Sequence, residues 1–508
     1  MNKKELIEKV IIPIENKSGE AYFVGGCVRD ELLNKTPNDY DIVTNFTPAQ
    51  LHEVFNKFSN VSANAELFGV TMVLIDNEEI EIATFREDLT KGRHPEVSFN
   101  ADMSSDAFRR DFTINALYEN KEGKIFDPTG FGLKDIKTKT LRFVGEPKER
   151  LLEDSLRAYR FVRFLSKGFN SSLSAPEMND LRKFLDFSKV SKERKLKEIK
   201  KIFSSSEFKP HSETFIAAES FGIFYDIGLD DIFSKMENTI QSFKWHAEGA
   251  LVISREDHSL LKAEEVKDFS DKIPYEHGTV LDHTYRVWEQ MNEIIFHNKA
   301  IESTKVDFTE EKNFLLILSA ILHDIGKTVY TEEKFNTFTW GKESYKENIP
   351  RVTKHDTLGV PLAEEFCKNL GLSNKETEFI ATLVGQHMNA HKFADTKHKF
   401  NILEFVQQPL FKEIMLLAQA DSRGSIKTVK ENQKSPEENL ALPVVQECIN
   451  TEMPKPILTG DILIAHGLKP NKSFGKMLMV AYKKQFEDNE TDVERLYNFV
   501  KNLYFSIS

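Results

Sequence analysis

Val24-Gly25-Gly26-Cys27-Val28-Arg29-Asp30 follows the short apolar run Ala21 to Val24 and opens a helical pattern. A Gly pair at such a strand-to-helix turn leaves backbone N–H groups free beside an arginine, where a triphosphate can rest. It is equally the chemistry of a plain turn. Eight residues on, Asn38-Asp39-Tyr40-Asp41-Ile42-Val43 reads as a second strand. There residues i and i+2 share a face, so Asp39 and Asp41 are expected to present two carboxylates to one point. Like charges that close need a cation between them, and a divalent metal is the usual answer.

Outward from this stretch, Val70 to Ile75 and Ile80 to Phe85 are short, partly alternating and bounded by Gly, Asn or Asp, the pattern of strands. Glu81 lies in the second of them and offers a third carboxylate, unless it is an ordinary exposed strand residue. From about Arg150 the period changes: Leu152, Leu156, Tyr159 and Val162 recur at three and four, and convincing strands all but cease. Gly (23) and Pro (17) are scarce for 508 residues, which favours helices over turns. The expected fold is therefore multidomain and predominantly α, with an N-terminal α/β head.

The balance of 68 basic against 80 acidic residues, a net charge of -12, excludes a surface coated in basic charge for indiscriminate nucleic-acid binding. Basic charge must be local, and Arg182 to Lys201 supplies it: nine Lys or Arg face three Asp or Glu. This is either a solvated helical face or a track for phosphate backbones. Three scattered cysteines, Cys27, Cys367 and Cys448, fit a reducing cytosol and ordinary core positions. The N-terminal stretch meets glutamates before any apolar segment develops, and Phe314 to Leu322 is too short to span a bilayer. The expectation is a cytoplasmic protein with no membrane contact.

GGCVRD, DYD, IATFR, RHPEVSF (Arg93 to Phe99), RRDFTINAL (Arg109 to Leu117), DPTG (Asp127 to Gly130) and ERLLEDSLRAYRFVRF (Glu149 to Phe164) follow one another in series. In order and spacing they resemble the bacterial class II CCA-adding enzymes and poly(A) polymerases. The resemblance implies a nucleotidyltransferase head at 1–140, a base-recognising neck at 141–202 and a helical body at 203–275. It implies Mg2+ on Asp39 and Asp41, and CTP, ATP and the tRNA 3′ end as partners. Gly25, Gly26, Arg29 and Asp30 would meet the triphosphate, and Arg110, Asp111 and Asn115 the ribose and triphosphate. Glu153, Asp154, Arg157 and Arg160 match the element that reads the base in place of a template. Arg suits cytosine's acceptors, and a carboxylate accepts from an exocyclic amine. Glu153 and Arg157 are also an i,i+4 pair, which a surface salt bridge alone explains.

Two departures stand out. Ser191-Lys192-Glu193-Arg194 is similar to the family's S-x-E-R-I motif, with Lys195 where an apolar residue is usual. Six residues separate Arg86 from Arg93, a shorter loop than the family pattern and without its Tyr. The resemblance ties this loop to the switch from C to A addition, so terminal A addition follows less directly than C addition.

Eight of the 14 histidines fall between His277 and His398. His283, the His323-Asp324 pair within His-Asp-Ile-Gly-Lys, His355, His387 and Asp421 lie some 30 to 40 residues apart, enough in each case for a helix and its return, so they can converge on one bundle core. His and Asp suit a hard or borderline divalent ion. The order H…HD…H…H…D resembles the HD phosphohydrolase superfamily. That resemblance makes His283, His323, Asp324 and Asp421 ligands of a first transition metal or Mg2+. It gives His355 and His387 to a second metal or the scissile phosphate, and Lys327 to phosphate charge. The domain is placed at 276–425 and a helical tail at 426–508, where Leu458-Thr459-Gly460-Asp461-Ile462 and Gly467-Leu468-Lys469-Pro470 resemble the end of HD-containing CCA enzymes. The expected function is CMP and AMP addition to tRNA, with an HD domain acting on phosphoesters such as a 2′,3′-cyclic phosphate. Alternatives are a CC-only or A-only adder, a poly(A) polymerase, an HD hydrolase with a nucleotide-sensing head, and a noncatalytic tRNA-binding module. Nothing in the motifs specifies an oligomeric state.

Overall fold

The structure is a computed structural model that describes residues 1–55, 69–89, 97–237, 251–253, 260–262, 279–297, 299–300, 304, 306–329, 333–340, 343–350, 354–395, 399–425, 435–452, 454–470 and 474–507. Residues 90–96, which hold half of the shortened loop and the start of RHPEVSF, lie outside these, as do much of the expected body and most of the polar stretch after Ser425. The chain divides into two compact units, Met1–Asp230 and Asp231–Ser508.

The first unit is built on a six-stranded sheet. Strands β1 (Ala21–Val24), β2 (Asp41–Thr44), β3 (Val70–Ile75), β4 (Glu78–Thr84), β5 (Tyr118–Glu119) and β6 (Ile125–Phe126) take the order β3-β4-β2-β1-β5-β6. Only β2 and β4 pair in parallel; the other neighbours are antiparallel. The last β1–β2 pair is Val24 with Asp41. Gly25 then turns with φ +78°, and β1 has nothing further to offer. Pairing stops there, so Asp39 lies just outside the strand rather than within it as the sequence pattern suggested.

Helix α1 (Gly26–Leu32) leaves the Gly pair directly. Beyond the sheet, α2 (Pro147–Glu153) and α3 (Leu156–Leu165) carry the expected three-and-four periodicity. Leu156, Ala158, Tyr159, Phe161, Val162, Phe164 and Leu165 are all buried along α3. Phe161 stacks on Phe143 at 5.2 Å, and Phe164 meets Phe112 edge-on at 5.4 Å, fastening α3 to the back of the head.

The departure at Lys195 has a structural reason. On α4 (Lys192–Phe203) its ammonium lies 2.8 Å from an Asp226 oxygen, and the Tyr159 hydroxyl donates to the same carboxylate. Burial and the neighbouring Asp226 charge push the Tyr159 phenol well above its ordinary range, so it remains a donor. Lysine here answers an acid that an apolar residue would leave stranded. Lys195→Met is expected to cost about 2 kcal/mol and lower the melting temperature of this unit by roughly 4–8 °C. Calorimetry on Lys195→Met and on Lys195→Met/Asp226→Asn checks this, since the double change should recover most of the loss.

The second unit is helical around α5 (Val280–Phe296), α6 (Glu310–Leu322), α7 (His355–Leu370), α8 (Asn374–Ala390) and α9 (Phe411–Gly424). Thr279 and Ser373 cap α5 and α8 through reciprocal bonds with Asp282 and Glu376. Every residue from Asn313 to Leu322 is buried, so α6 is the central helix. Gly326 follows because a Cβ there would lie 1.9 Å from the His355 carbonyl oxygen; only glycine lets the His-Asp turn close on α7. Leu458, Leu463, Phe474, Met477, Ala481, Leu496, Tyr497 and Val500 form a separate small core near the C-terminal end. All three cysteines are buried and free, and burial pushes the Cys27 and Cys367 thiols up to about 11 and about 12. Among the described residues no helix is long and apolar enough to cross a membrane.

Candidate active sites

In the head, Asp41 reaches back under the Gly25 turn. A Cβ on Gly25 would stand 3.5 Å from the Arg110 guanidinium and 3.8 Å from the Asp41 carboxylate, so the turn, the acid and the cation share one recess. The parallel register pairs Ile42 with Ile82, and one step back along both strands brings Glu81 alongside Asp41. Desolvation and then the like charge of Asp39 raise the Asp41 carboxyl above its ordinary range; desolvation, Asp41 and Asp39 do the same to Glu81. Three mutually repelling carboxylates at one edge fit a cation between them.

Around them the structure ties the expected residues into one network. Arg29, nearly buried, donates to Asp30 at 2.9 Å and to Asn115 at 2.6 Å. Asn115 donates on to Asp111 at 3.0 Å, and Arg160 grips the other Asp111 oxygen at 2.5 Å. Burial opposes the Asp111 charge, but Arg160 and Asn115 hold its carboxyl down to about 2. Arg157 bonds Glu153 at 2.5 Å and the carbonyls of Arg150 and Arg109 at 3.1 and 3.0 Å. Asp154 accepts from Arg194 of α4 at 2.7 Å. The i,i+4 pair is therefore formed, and Arg157 also joins the neck helices to the Arg109-Arg110-Asp111 element.

Two residues in this region were not singled out from sequence. Asp106 is fully buried and accepts from Arg109, Arg110 and the Tyr118 hydroxyl at 2.6 to 2.9 Å. Burial alone would raise its carboxyl, but Arg110 and Arg109 hold it below the ordinary range. Its signal was the i,i+3 and i,i+4 spacing to two arginines. Arg163, one turn beyond Arg160, pairs with buried Glu198 at 2.9 Å.

In the second unit, the expected histidines and aspartates converge from five segments. His283 Nε2 lies 3.2 Å from His323 Nε2, 3.0 Å from Asp421 and 3.5 Å from Asp324. His323 Nε2 is 3.2 Å from Asp324, His355 is 3.3 Å from its other oxygen, and His387 3.8 Å. Two sets, His283–His323–Asp324 and Asp324–His355–His387, bring their ligand atoms within 4.8 Å of one another and share Asp324. Lys327, expected to act on phosphate, holds Asp324 at 2.5 Å.

Tautomers are fixed by the helix backbone. His323 and His387 place Nδ1 at 2.8 and 2.7 Å from the carbonyls of Ala320 and Val384, so each donates there and turns Nε2 to the centre. Burial, followed by the His323 charge, pushes His387 down to about 4, leaving it neutral. Burial opposes charge on both acids, yet Lys327 and His323 hold Asp324, and His283 and His391 hold Asp421, well below the carboxylate range. Asp324 Oδ1 is buried and accepts no hydrogen bond despite the imidazoles around it. Burial opposes the charge on His323, but Asp324 and Asp421 raise its imidazole above the ordinary range; a divalent ion among these converging nitrogens and ionised carboxylates would take the place of that proton. His391, four residues after His387, was missed from sequence; it bonds the outer Asp421 oxygen at 2.8 Å and orients that carboxylate, which lies outside both sets.

Residues 21–142 match the model of the poly(A) polymerase head domain, and residues 280–423 that of the HD domain. The chain joins these two domains. The expected kinship with class II CCA-adding enzymes and poly(A) polymerases carrying an HD domain is borne out. The CCA-adding enzyme of Bacillus subtilis is 37% identical over 227 residues, 44% of this chain and 55% of that protein. The chain thus spans about half the length of such curated relatives. Among solved structures, the Bacillus stearothermophilus CCA-adding enzyme in complex with CTP aligns with 100% of this chain and 99% of its own at TM-score 0.54 and 20% identity. The Thermotoga maritima CCA-adding enzyme complexed with tRNA_CCA gives 0.52 and 16%, covering 100% of this chain and 97% of its own. At these identities the likeness is one of fold, and it matches the expected α/β head and predominantly helical remainder.

Proposed function

We propose that the chain is a template-independent nucleotidyltransferase that adds CMP and AMP to the 3′ end of tRNA. The observation that carries this reading is the recess in which Asp41 meets the Gly25 turn and Arg110, with the like charges of Asp39 and Glu81 beside it. The tRNA 3′-hydroxyl attacks the α-phosphate: an O3′–P bond forms, the bond to the β-phosphate breaks, pyrophosphate leaves and the hydroxyl proton is lost. Mg2+, when held by Asp39 and Asp41, supplies charge neutralisation for attacking and leaving oxygens. Arg29, Arg110 and the Gly25-Gly26 amides hold phosphate oxygens, Asp111 and Asn115 orient the ribose, and Asp154 and Arg157 face the base edge. The basic face of α4 carries the RNA backbone.

The domains we assign are head 1–140, neck 141–202, body 203–275, HD domain 276–425 and tail 426–508, in a cytosolic protein. The HD centre is assigned to phosphoester hydrolysis, with a 2′,3′-cyclic phosphate at RNA ends as substrate. One assay tests the head: tRNA ending in the discriminator base, C or CC is incubated with each labelled nucleoside triphosphate and product lengths are read on a gel. Addition of two C and one A, in order, is the expected result; long A tracts would make it a poly(A) polymerase, and arrest after CC a partial adder.

Arg157→Ala separates base reading from the salt bridge. Losing the base-facing fork should relax nucleotide choice by about tenfold or more and slow incorporation. Unchanged selectivity with a lower melting temperature would assign Arg157 to tying the neck to the Arg109 backbone.

A further inference from the structure

Lys167, just past the end of α3, belongs to a cationic cluster of which the reaction as described uses Arg29 alone. Three cations share one buried ring: the guanidinium carbons of Arg29 and Arg163 each lie 5.0 Å from the centroid of Phe164, and the Lys167 ammonium 5.6 Å. Arg29 has Asp30 and Arg163 has Glu198. Lys167 has no ion pair among the described residues. Arg29 links the cluster to the phosphate-binding turn, since a Cβ on Gly26 would lie 3.7 Å from its guanidinium. Stacked like charges beside that turn call for a multiply charged anion.

We propose that Lys167 is a further binding residue of the head, holding with Arg29 and Arg163 the β- and γ-phosphates of the incoming nucleotide and then the departing pyrophosphate. This rests on the nucleotidyltransferase reading above. A consequence sets it apart from a permanently charged arginine. The Lys167 side chain sits at the exposed rim of the cluster, where partial desolvation and then the charges of Arg29 and Arg163 push its ammonium down to about 8. The groups facing it are Arg29 and Asp30 of α1, Arg163 of α3 and Lys201 of α4. Below that pH the site is charged in advance. Above it, polyphosphate must bring a proton with it, so affinity falls as pH rises, by at most about tenfold per unit for one group.

The test is the KM for CTP against pH, from about 6.5 to 9.5, in wild type, Lys167→Met and Lys167→Arg, with melting temperatures alongside. Wild type should show a flat KM that climbs above about pH 8. Lys167→Met should raise KM roughly tenfold at pH 7 with a much smaller change in kcat, and lose the climb. Lys167→Arg should restore the low KM and carry it flat through the range. Inhibition by inorganic pyrophosphate should follow the same three patterns. A KM and pH profile in Lys167→Met that match wild type would overturn the proposal, even with a lower melting temperature, because a lysine serving only the helix C-terminus alters stability alone. If wild type incorporates no CTP at all, the nucleotidyltransferase reading fails instead. Calorimetric titration with pyrophosphate then decides the cluster: loss of binding in Lys167→Met supports it, and equal binding rejects it.

Discussion

Asp41→Asn is expected to abolish nucleotide incorporation, by about a thousandfold or more, while tRNA binding survives and the protein melts no lower than wild type. A loss of that size corresponds to roughly 4 kcal/mol of transition-state stabilisation, the scale set by removing a group aimed at developing charge in a desolvated site. RNA is held mainly by phosphate contacts elsewhere, which the substitution leaves alone. The stability half follows from the raised carboxyl pKa. In the metal-free protein, desolvation and Asp39 disfavour the ionised Asp41, so the native state holds a proton that the unfolded chain has already released. Stability therefore falls as pH rises from the ordinary carboxylate range through the raised value, and a neutral isostere escapes that loss. Adding Mg2+ should raise the melting temperature of wild type and leave Asp41→Asn nearly unmoved. Near-normal turnover in Asp41→Asn, with Asp39→Asn as companion, would remove both carboxylates from the chemistry.

That pairing of lost activity with kept stability explains why the head was legible in the sequence. Carboxylates two apart, beside a Gly pair, are a poor choice for folding, and such choices mark sites. Strand order was another matter. Glu81 stands beside Asp41 because β2 and β4 pair in parallel, and no local pattern reveals which strands become neighbours. Asp106 and His391 escaped for a related reason: each acts through a second residue, Asp106 by fixing Arg110 and His391 by fixing Asp421, and a lone Asp or His carries no sign of what it orients. Lys195 shows the reverse case. As a departure from the motif it looked like a weakness, and the fold supplies Asp226 and Tyr159 as its reason.

The histidine cluster was readable from order and spacing, but its sharing of Asp324 was not, and that sharing sets the other large effect. Because one carboxylate serves both ligand sets, His323→Ala/Asp324→Ala should strip the centre of its divalent ion and abolish phosphate release from a 2′,3′-cyclic end. Metal content by mass spectrometry and phosphate release read this directly. Lys327 would lose its partner and His355 its nearby acid, so Asp324→Asn, which keeps the shape, serves as the folding control and should also lose the metal. Asp39 and Asp41, the proposed metal ligands of the head, belong to the other compact unit. CTP incorporation onto an intact 3′-hydroxyl should therefore persist in both variants. On tRNA ending in a 2′,3′-cyclic phosphate the outcomes should part: wild type opens the ring, removes the phosphate and extends the freed hydroxyl, whereas the variants stall because no nucleophile is exposed. If wild type extends such ends no better than the variants, the HD centre does not clear ends for the head, and its substrate must be sought among other phosphoesters.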